Sequence, residues 1–249
     1  EKDSARDLLC SAMEQLDFGK SLVFARINAL KTPFGEADVR AVVPAGVRNL
    51  RLAMCESPED VQRLAQLLDE VEEEHQIPHG SVKIQCSIET AKGVLNARET
   101  VKASPRVISL SFGAEDYTRS MGTSRSKSAQ ELQFARMYLP VVAAEAGISA
   151  IDTVWSDLED EAGFEAEVSN AKALGFSGKS CIHPSQLAVV HRIYTPSEAE
   201  VVHARRVIEA MRAAEQAGVG VFTVDGKMVD APVVAKAQRV LLQIGEEVS

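Results

Sequence analysis

Three stretches of the chain carry polar side chains in strand-like runs where apolar ones are usual. In SLVFARIN (residues 21–28), strand alternation puts Leu22, Phe24, Arg26 and Asn28 on one face. In VKIQCSIE (82–89), Gln85, Ser87 and Glu89 share one face, and Ile84, Cys86 and Ile88 the other. In RVISLSFGAED (106–116), Ser109, Ser111 and Gly113 share a face, with Glu115 and Asp116 following in a loop. Glu89 and Asp116 thus fall at the C-terminal ends of consecutive strands. Two carboxylates there suit Mg²⁺, which commonly takes one or two carboxylates plus water and substrate oxygens. The alternative is that Glu89 pairs only with Arg26, since a buried charge needs a partner; spacing leaves both readings open. The five histidines form no HExxH or His/Cys ligand spacing, so zinc is not expected. His183, just before Pro184, reads as structural.

These residues require strands to aim them. Strand-like runs occur at 21–28, 47–54, 82–89, 106–112, 150–156 and 178–182. Helical periodicity lies between them, over 36–43, 58–75, 91–103, 129–146 and 162–174. Pro58 after Ser57 marks a helix start. The acidic run Glu72–Glu74 reads as a solvated helix end. Repeated βα units imply an α/β fold with a parallel sheet. No GxGxxG or Walker sequence follows any strand, which disfavours an open nucleotide-binding sheet. The expectation is a TIM (β/α)8 barrel seen from strand three to strand eight over residues 1–194, its first two strands lying upstream of Glu1. The helix 3–16 would follow the second of them. Residues 195–249 exceed what closure needs: a helix over 197–218, a strand-like piece at 220–224, a turn at Asp225–Gly226 and a helix from Ala231 to about Glu247. They read as a C-terminal extension packing on a neighbouring subunit.

Composition narrows the partners. Of 249 residues, 36 are acidic and 27 basic, a net charge of −9 that disfavours nucleic acid and anionic membranes. No apolar run reaches the roughly 20 residues of a membrane span. Cys10, Cys55, Cys86 and Cys181 form no CxxC pair and read as free thiols in a reducing cytoplasm. The chain opens on a helical pattern without an initiator Met and reads as a fragment.

Five segments in order, IETAKGVLNARE (88–99), FGAEDY (112–117), QELQFARMYLPVVAAEAGISAIDTVWSD (130–157), GFSGKSCIHPSQ (175–186) and VDGKMVDAPVV (224–234), carry a family resemblance. The chain resembles the citrate lyase beta-subunit (citryl-CoA lyase) family, within the citrate lyase and malyl-CoA lyase (HpcH/HpaI aldolase-like) superfamily. The resemblance implies a carbon–carbon lyase cleaving a citryl thioester, with Glu89 and Asp116 as ligands of Mg²⁺ (Mn²⁺ the alternative). It implies that Arg26, in an RxN strand with Asn28, contacts the carbonyl or enolate oxygen. Lys179 and Pro184 fall where such proteins bind coenzyme A or an acyl-carrier prosthetic group. Asp230, in GKMVD, matches an aspartate that reaches a neighbouring subunit's site and handles protons; without the resemblance it reads as a helix N-cap. The implied partners are an acyl carrier protein and acyltransferase subunit, in a homotrimer or hexamer. The family's initial FVPG and LED segments are absent, and Ala53–Met54 stands where Pro–Lys is common. Other readings are a malyl- or citramalyl-thioester lyase, a malate synthase- or thioesterase-like enzyme, and a non-catalytic carrier-binding scaffold.

Overall fold

A computed structural model of the chain describes residues 2–218 and 221–246. They fall into two compact units, Glu1–Gln186 and Leu187–Ser249. In the first, α1 (Lys2–Gln15) precedes β1 (Ala25–Ile27). There follow α2 (Gly35–Val42), β2 (Asn49–Leu52), α3 (Pro58–Glu74), β3 (Lys83–Ile88), α4 (Ala91–Val101) and β4 (Val107–Phe112). The unit continues with α5 (Ala114–Met121), α6 (Gln133–Ala146), β5 (Ser149–Asp152), α7 (Glu161–Leu174) and β6 (Gly178–Lys179). All six strands run parallel, each beside the next in chain order. This is the α/β architecture that the alternating periodicities imply; among the described residues β1 and β6 do not pair to close it. β1 keeps only three residues of its strand-like run, being hydrogen-bonded on one side alone.

The two faces of the central strands differ as their alternation requires. Leu50, Leu52, Ile84, Cys86, Ile88, Leu110 and Phe112 are at most 1% exposed. They share a core with Leu64, Leu68 and Val71 of α3, Val94 and Ala97 of α4, and Leu139 of α6. Each such aliphatic side chain stabilises the fold by roughly 1.5–3 kcal/mol. On the other face, Gln85 Nε2 donates to Ser109 Oγ (3.0 Å), and the Ser87 and Ser111 hydroxyls lie 3.3 Å apart. These pairs sit in register across β3 and β4, so the polar residues satisfy one another beneath the strand ends.

The solvated reading of Glu72 is corrected. Its side chain is 1% exposed and accepts from Arg106 Nη1 (2.9 Å) and Nη2 (2.6 Å), Gly80 N (2.8 Å) and Val82 N (2.9 Å). Burial acts to raise its pKa, but Arg106 and the backbone donors prevail and hold it at about 2. A depressed carboxylate contributes stability that is complete above its unfolded pKa of roughly 4.3 and is lost as pH falls toward the folded value. Replacing Glu72 with Gln is therefore expected to flatten the fall of unfolding free energy between about pH 4.5 and pH 2, read by urea melts. An unchanged slope would show that Glu72 does not carry this stability.

The second unit holds α8 (Leu187–Tyr194), α9 (Glu198–Gln216), β7 (Phe222–Val224), β8 (Lys227–Val229) and α10 (Ala231–Gln243). Helices α9 and α10 share a core of Val201, Ala204, Val207, Ile208, Ala237 and Leu241, closed by Val224 and Val229. Asp225 (φ 50°) and Gly226 (φ 74°) both have positive φ, the requirement of a tight two-residue hairpin loop, which Asp-Gly meets. Gly220 and the 247–249 end lie outside the described residues, and α10 ends at Gln243, short of the expected Glu247.

Candidate active site

Four of the residues singled out in the sequence meet at one cavity. Arg26 and Asn28 from the end of β1, Glu89 just after β3, and Asp116 from α5 line a space of about 450 Å³, with Met54, Asp38 and the α1 residues Lys2 and Arg6. Asp116 was expected in a loop; instead it lies in the first turn of α5. The sequence of that helix, AEDYTRSM, holds only three apolar residues, too few to mark a helical stripe. Acids at its start and Arg119 in its last turn suit the helix dipole, and Gly122 ends it in the left-handed region at φ 69°.

Glu89 is half-buried and accepts from the Met54 backbone N–H at 3.3 Å, Met54 itself being in the left-handed region at φ 53°. Burial pushes the Glu89 carboxyl above the usual range, and the negative charge of Asp116 adds to this; the Met54 N–H and the guanidinium groups of Arg51 and Arg26 oppose it. Asp116 pairs with Arg119 at 2.5 Å. Two neighbouring carboxylates that repel each other, one of them desolvated and held among the described residues by a single long hydrogen bond, form a donor set that a hard divalent cation completes. Glu89 and Asp116 are therefore the residues here that fit Mg²⁺.

Gly113 makes this placement sterically feasible. A Cβ on it would lie 2.5 Å from Glu89 Cγ and 3.2 Å from Cδ. Gly113→Ala must displace the carboxylate, and a displacement of about 1 Å commonly costs up to roughly 10²-fold in turnover. The expected result is a loss of 10- to 100-fold with a raised Mg²⁺ requirement, measured by steady-state assay; wild-type kinetics would show that the space is not needed.

Asn28 is tightly engaged. Its Nδ2 (2.6 Å) and backbone N (2.9 Å) donate to Asp38 Oδ2, and its Oδ1 accepts from Lys2 Nζ (2.9 Å). Burial acts to raise the Asp38 carboxyl, but Asn28 and Arg6 (2.8 Å) outweigh it and hold it below the usual carboxylate range. Asp38 was not singled out in the sequence. Its signal was an acid sharing the buried stripe Gly35, Asp38, Val39 and Val42 of α2. Arg51 was also missed. It alternates with buried Leu50 and Leu52, faces the polar side of the sheet and donates from Nε to Ser87 Oγ at 2.9 Å.

Lys179 and Pro184 are not among the residues that line this cavity. Lys179 is fully buried beside Asp152 (2.8 Å) and Glu167, with Arg136 at 2.7 Å from Asp152. Pro184, itself exposed, opens a 3-10 turn (Pro184–Gln186) whose last residue is buried. Asp230, in the second unit, caps α10 by accepting from Val233 N at 3.2 Å, as its N-cap reading holds. A cluster of Asp69, Glu72 and His79 has metal-like spacing, but both of its carboxylates are paired with Arg106, just before β4 and so at the opposite end of that strand from Asp116.

The model of the HpcH/HpaI aldolase/citrate lyase family matches residues 1–184. The chain belongs to this family. Within it, the chain is 44% identical to the citrate lyase subunit beta of Leuconostoc mesenteroides subsp. cremoris, over 97% of this chain and 80% of that one. It is 32% identical to a mitochondrial citramalyl-CoA lyase of Rattus norvegicus, over 97% of this chain and 74% of that one. Among solved structures, the CitE protein of Mycobacterium tuberculosis in complex with magnesium, acetoacetate and coenzyme A matches with a TM-score of 0.73. That protein is 30% identical, over 98% of this chain and 84% of its own. All residues lining the cavity fall within the family match.

Proposed function

We propose that this HpcH/HpaI-family chain is a Mg²⁺-dependent carbon–carbon lyase that splits a citryl thioester, of coenzyme A or an acyl-carrier prosthetic group, into oxaloacetate and an acetyl thioester. The convergence of Glu89, Asp116 and Arg26 on one cavity carries this reading; the relatives' names support the substrate class. Mg²⁺ held by Glu89 and Asp116 would supply a Lewis acid for the substrate's hydroxyl and adjacent carboxylate. Arg26, exposed and with no carboxylate at ion-pair distance among the described residues, holds the thioester oxygen and stabilises the charge that builds there as the enolate leaves. Asn28, fixed by Asp38 and Lys2, braces the end of β1 beside it. Pro184 is assigned to the thioester-carrier side; Lys179 is assigned a structural role.

We assign protonation of the enolate carbon to Asp230 from a neighbouring copy in a homotrimer or hexamer. Mixed and re-equilibrated oligomers of inactive Asp230→Asn and inactive Glu89→Gln chains are then expected to recover part of the activity. If the mixture stays dead, the assignment fails. The six parallel strands are taken as six of the eight units of a (β/α)8 barrel. An acyl carrier protein and an acyltransferase subunit are the proposed partners, in the cytoplasm.

The Rattus norvegicus relative favours a second reading, a citramalyl-CoA lyase yielding pyruvate. Assaying the purified chain with Mg²⁺ against citryl-, citramalyl- and malyl-CoA separates them. Fastest release of oxaloacetate and acetyl-CoA from citryl-CoA, stopped by EDTA, is expected. Fastest release of pyruvate would select the second reading, and no turnover of any thioester would leave only a carrier-binding scaffold.

A further inference from the structure

Arg26 and Arg51 are register partners on adjacent parallel strands, which brings their backbones to about 4.8 Å. Both alternate with buried apolar neighbours, Ala25 and Ile27 in β1 and Leu50 and Leu52 in β2, so both side chains lie on the polar face of the sheet. Among the described residues neither has a carboxylate at ion-pair distance. Arg51 Nε donates to Ser87 Oγ, although its Cα is level with Gln85; the side chain therefore leans toward the end of β3 where Glu89 stands. Ser87 is held in turn against Ser111. Two like charges side by side, one of them half-buried and fixed by a neutral hydroxyl, are unfavourable as they stand. Burial lowers the pKa of the Arg51 guanidinium, and the charge of Arg26 adds to that while Glu89 opposes it.

We propose that Arg51 is a specificity-determining residue that, beside Arg26, binds a carboxylate on the part of the substrate released as the oxo acid. This rests on the lyase reading above and deepens it. Citryl and citramalyl thioesters share the hydroxyl, the adjacent carboxylate and the thioester arm. They differ in one substituent, a carboxymethyl group in the first and a methyl group in the second. A fork-shaped guanidinium beside Arg26, leaning toward Glu89, offers a carboxymethyl group two parallel hydrogen bonds and offers a methyl group none. Ser87 occupies Nε and so sets the direction in which the remaining N–H groups point. Glu89 and Asp116, assigned to the metal, are not available to neutralise the two arginines, so a dianionic acyl group complements them better than a monoanionic one.

The test is the ratio of kcat/KM for citryl-CoA to that for citramalyl-CoA, measured on wild type, Arg51→Met and Arg51→Lys. Arg51→Met keeps the bulk and removes the charge. A charged hydrogen-bonded contact is worth roughly a 10- to 100-fold change, so the ratio should fall by about that factor while citramalyl-CoA turnover stays within about threefold. Arg51→Lys should fall between. Because both thioesters are assayed on the same preparation, partial misfolding of a variant cancels from the ratio. If both substrates lose activity together, Arg51 only braces Ser87, and the proposal is overturned; an unchanged ratio with unchanged rates overturns it too. If wild type cleaves neither thioester, the lyase reading itself fails, an outcome distinct from an active wild type whose preference survives Arg51→Met.

Discussion

Replacing Glu89 with Gln removes lyase turnover, by about 10³-fold or more, and leaves the fold in place. The loss follows from what the carboxylate does. Glu89 is half-buried, Asp116 lines the same cavity, and Asp116 alone is a poor site for a divalent ion that needs several hard oxygen donors. Several kcal/mol of charge stabilisation depend on that ion, and each 1.36 kcal/mol is tenfold in rate. The fold survives because Glu89 contributes little to it. Among the described residues its one hydrogen bond, from Met54 N, is 3.3 Å long, and burial works against its charge. Asp116→Asn is expected to behave alike. Steady-state rates at saturating Mg²⁺, with thermal melts on the same samples, check this. Turnover within about twofold of wild type, or a melting point lowered by many degrees, would remove Glu89 from the metal site.

Lys179→Met is expected to act in the opposite sense, on stability first. The ammonium is fully buried between Asp152 and Glu167. Without it, Arg136 is left to serve both carboxylates, at 2.7 Å from Asp152 and 3.9 Å from Glu167. Arg125, paired with Glu115 at 2.9 Å, approaches Glu167 at 3.5 Å. Breaking such a buried network costs about 3–5 kcal/mol, which for a chain of this size lowers the melting temperature by roughly 10 °C. Calorimetry reads the first quantity, and KM for the thioester reads the alternative. A raised KM with unchanged melting would return Lys179 to the coenzyme pocket that the family resemblance implied.

The alternation of β3 and β4 was legible because period-two patterning records which face meets the helices. Gln85, Ser87 and Glu89 follow directly from it, as do Ser109, Ser111 and Gly113. The hairpin at Asp225–Gly226 was legible for a similar reason, since positive φ at both residues calls for that dipeptide. What the sequence left hidden depends on partners distant along the chain. Glu72 looks solvated until Arg106, 34 residues on, reaches it. Lys179 reads as a ligand-binding cation until Asp152 and Glu167 enclose it. Arg51 looks unremarkable on a short strand until its register with Arg26 is known. Helix α5 went unseen because AEDYTRSM holds few apolar residues to mark a stripe, and its stability comes from the burial of Ala114, Tyr117 and Thr118 and from the Gly122 C-cap.

Metal binding at the cavity tests the central claim most directly, and it needs no substrate. Mn²⁺, which can stand in for Mg²⁺ at hard oxygen sites, is titrated into wild type, Glu89→Gln and Asp116→Asn, and the free ion is read by electron paramagnetic resonance. The expected result is one saturable site per chain in wild type, displaced by Mg²⁺ and weakened at least about tenfold by either substitution. Equal Mn²⁺ affinity in all three proteins would contradict the assignment of Glu89 and Asp116 and, with it, the metal-dependent lyase built on them.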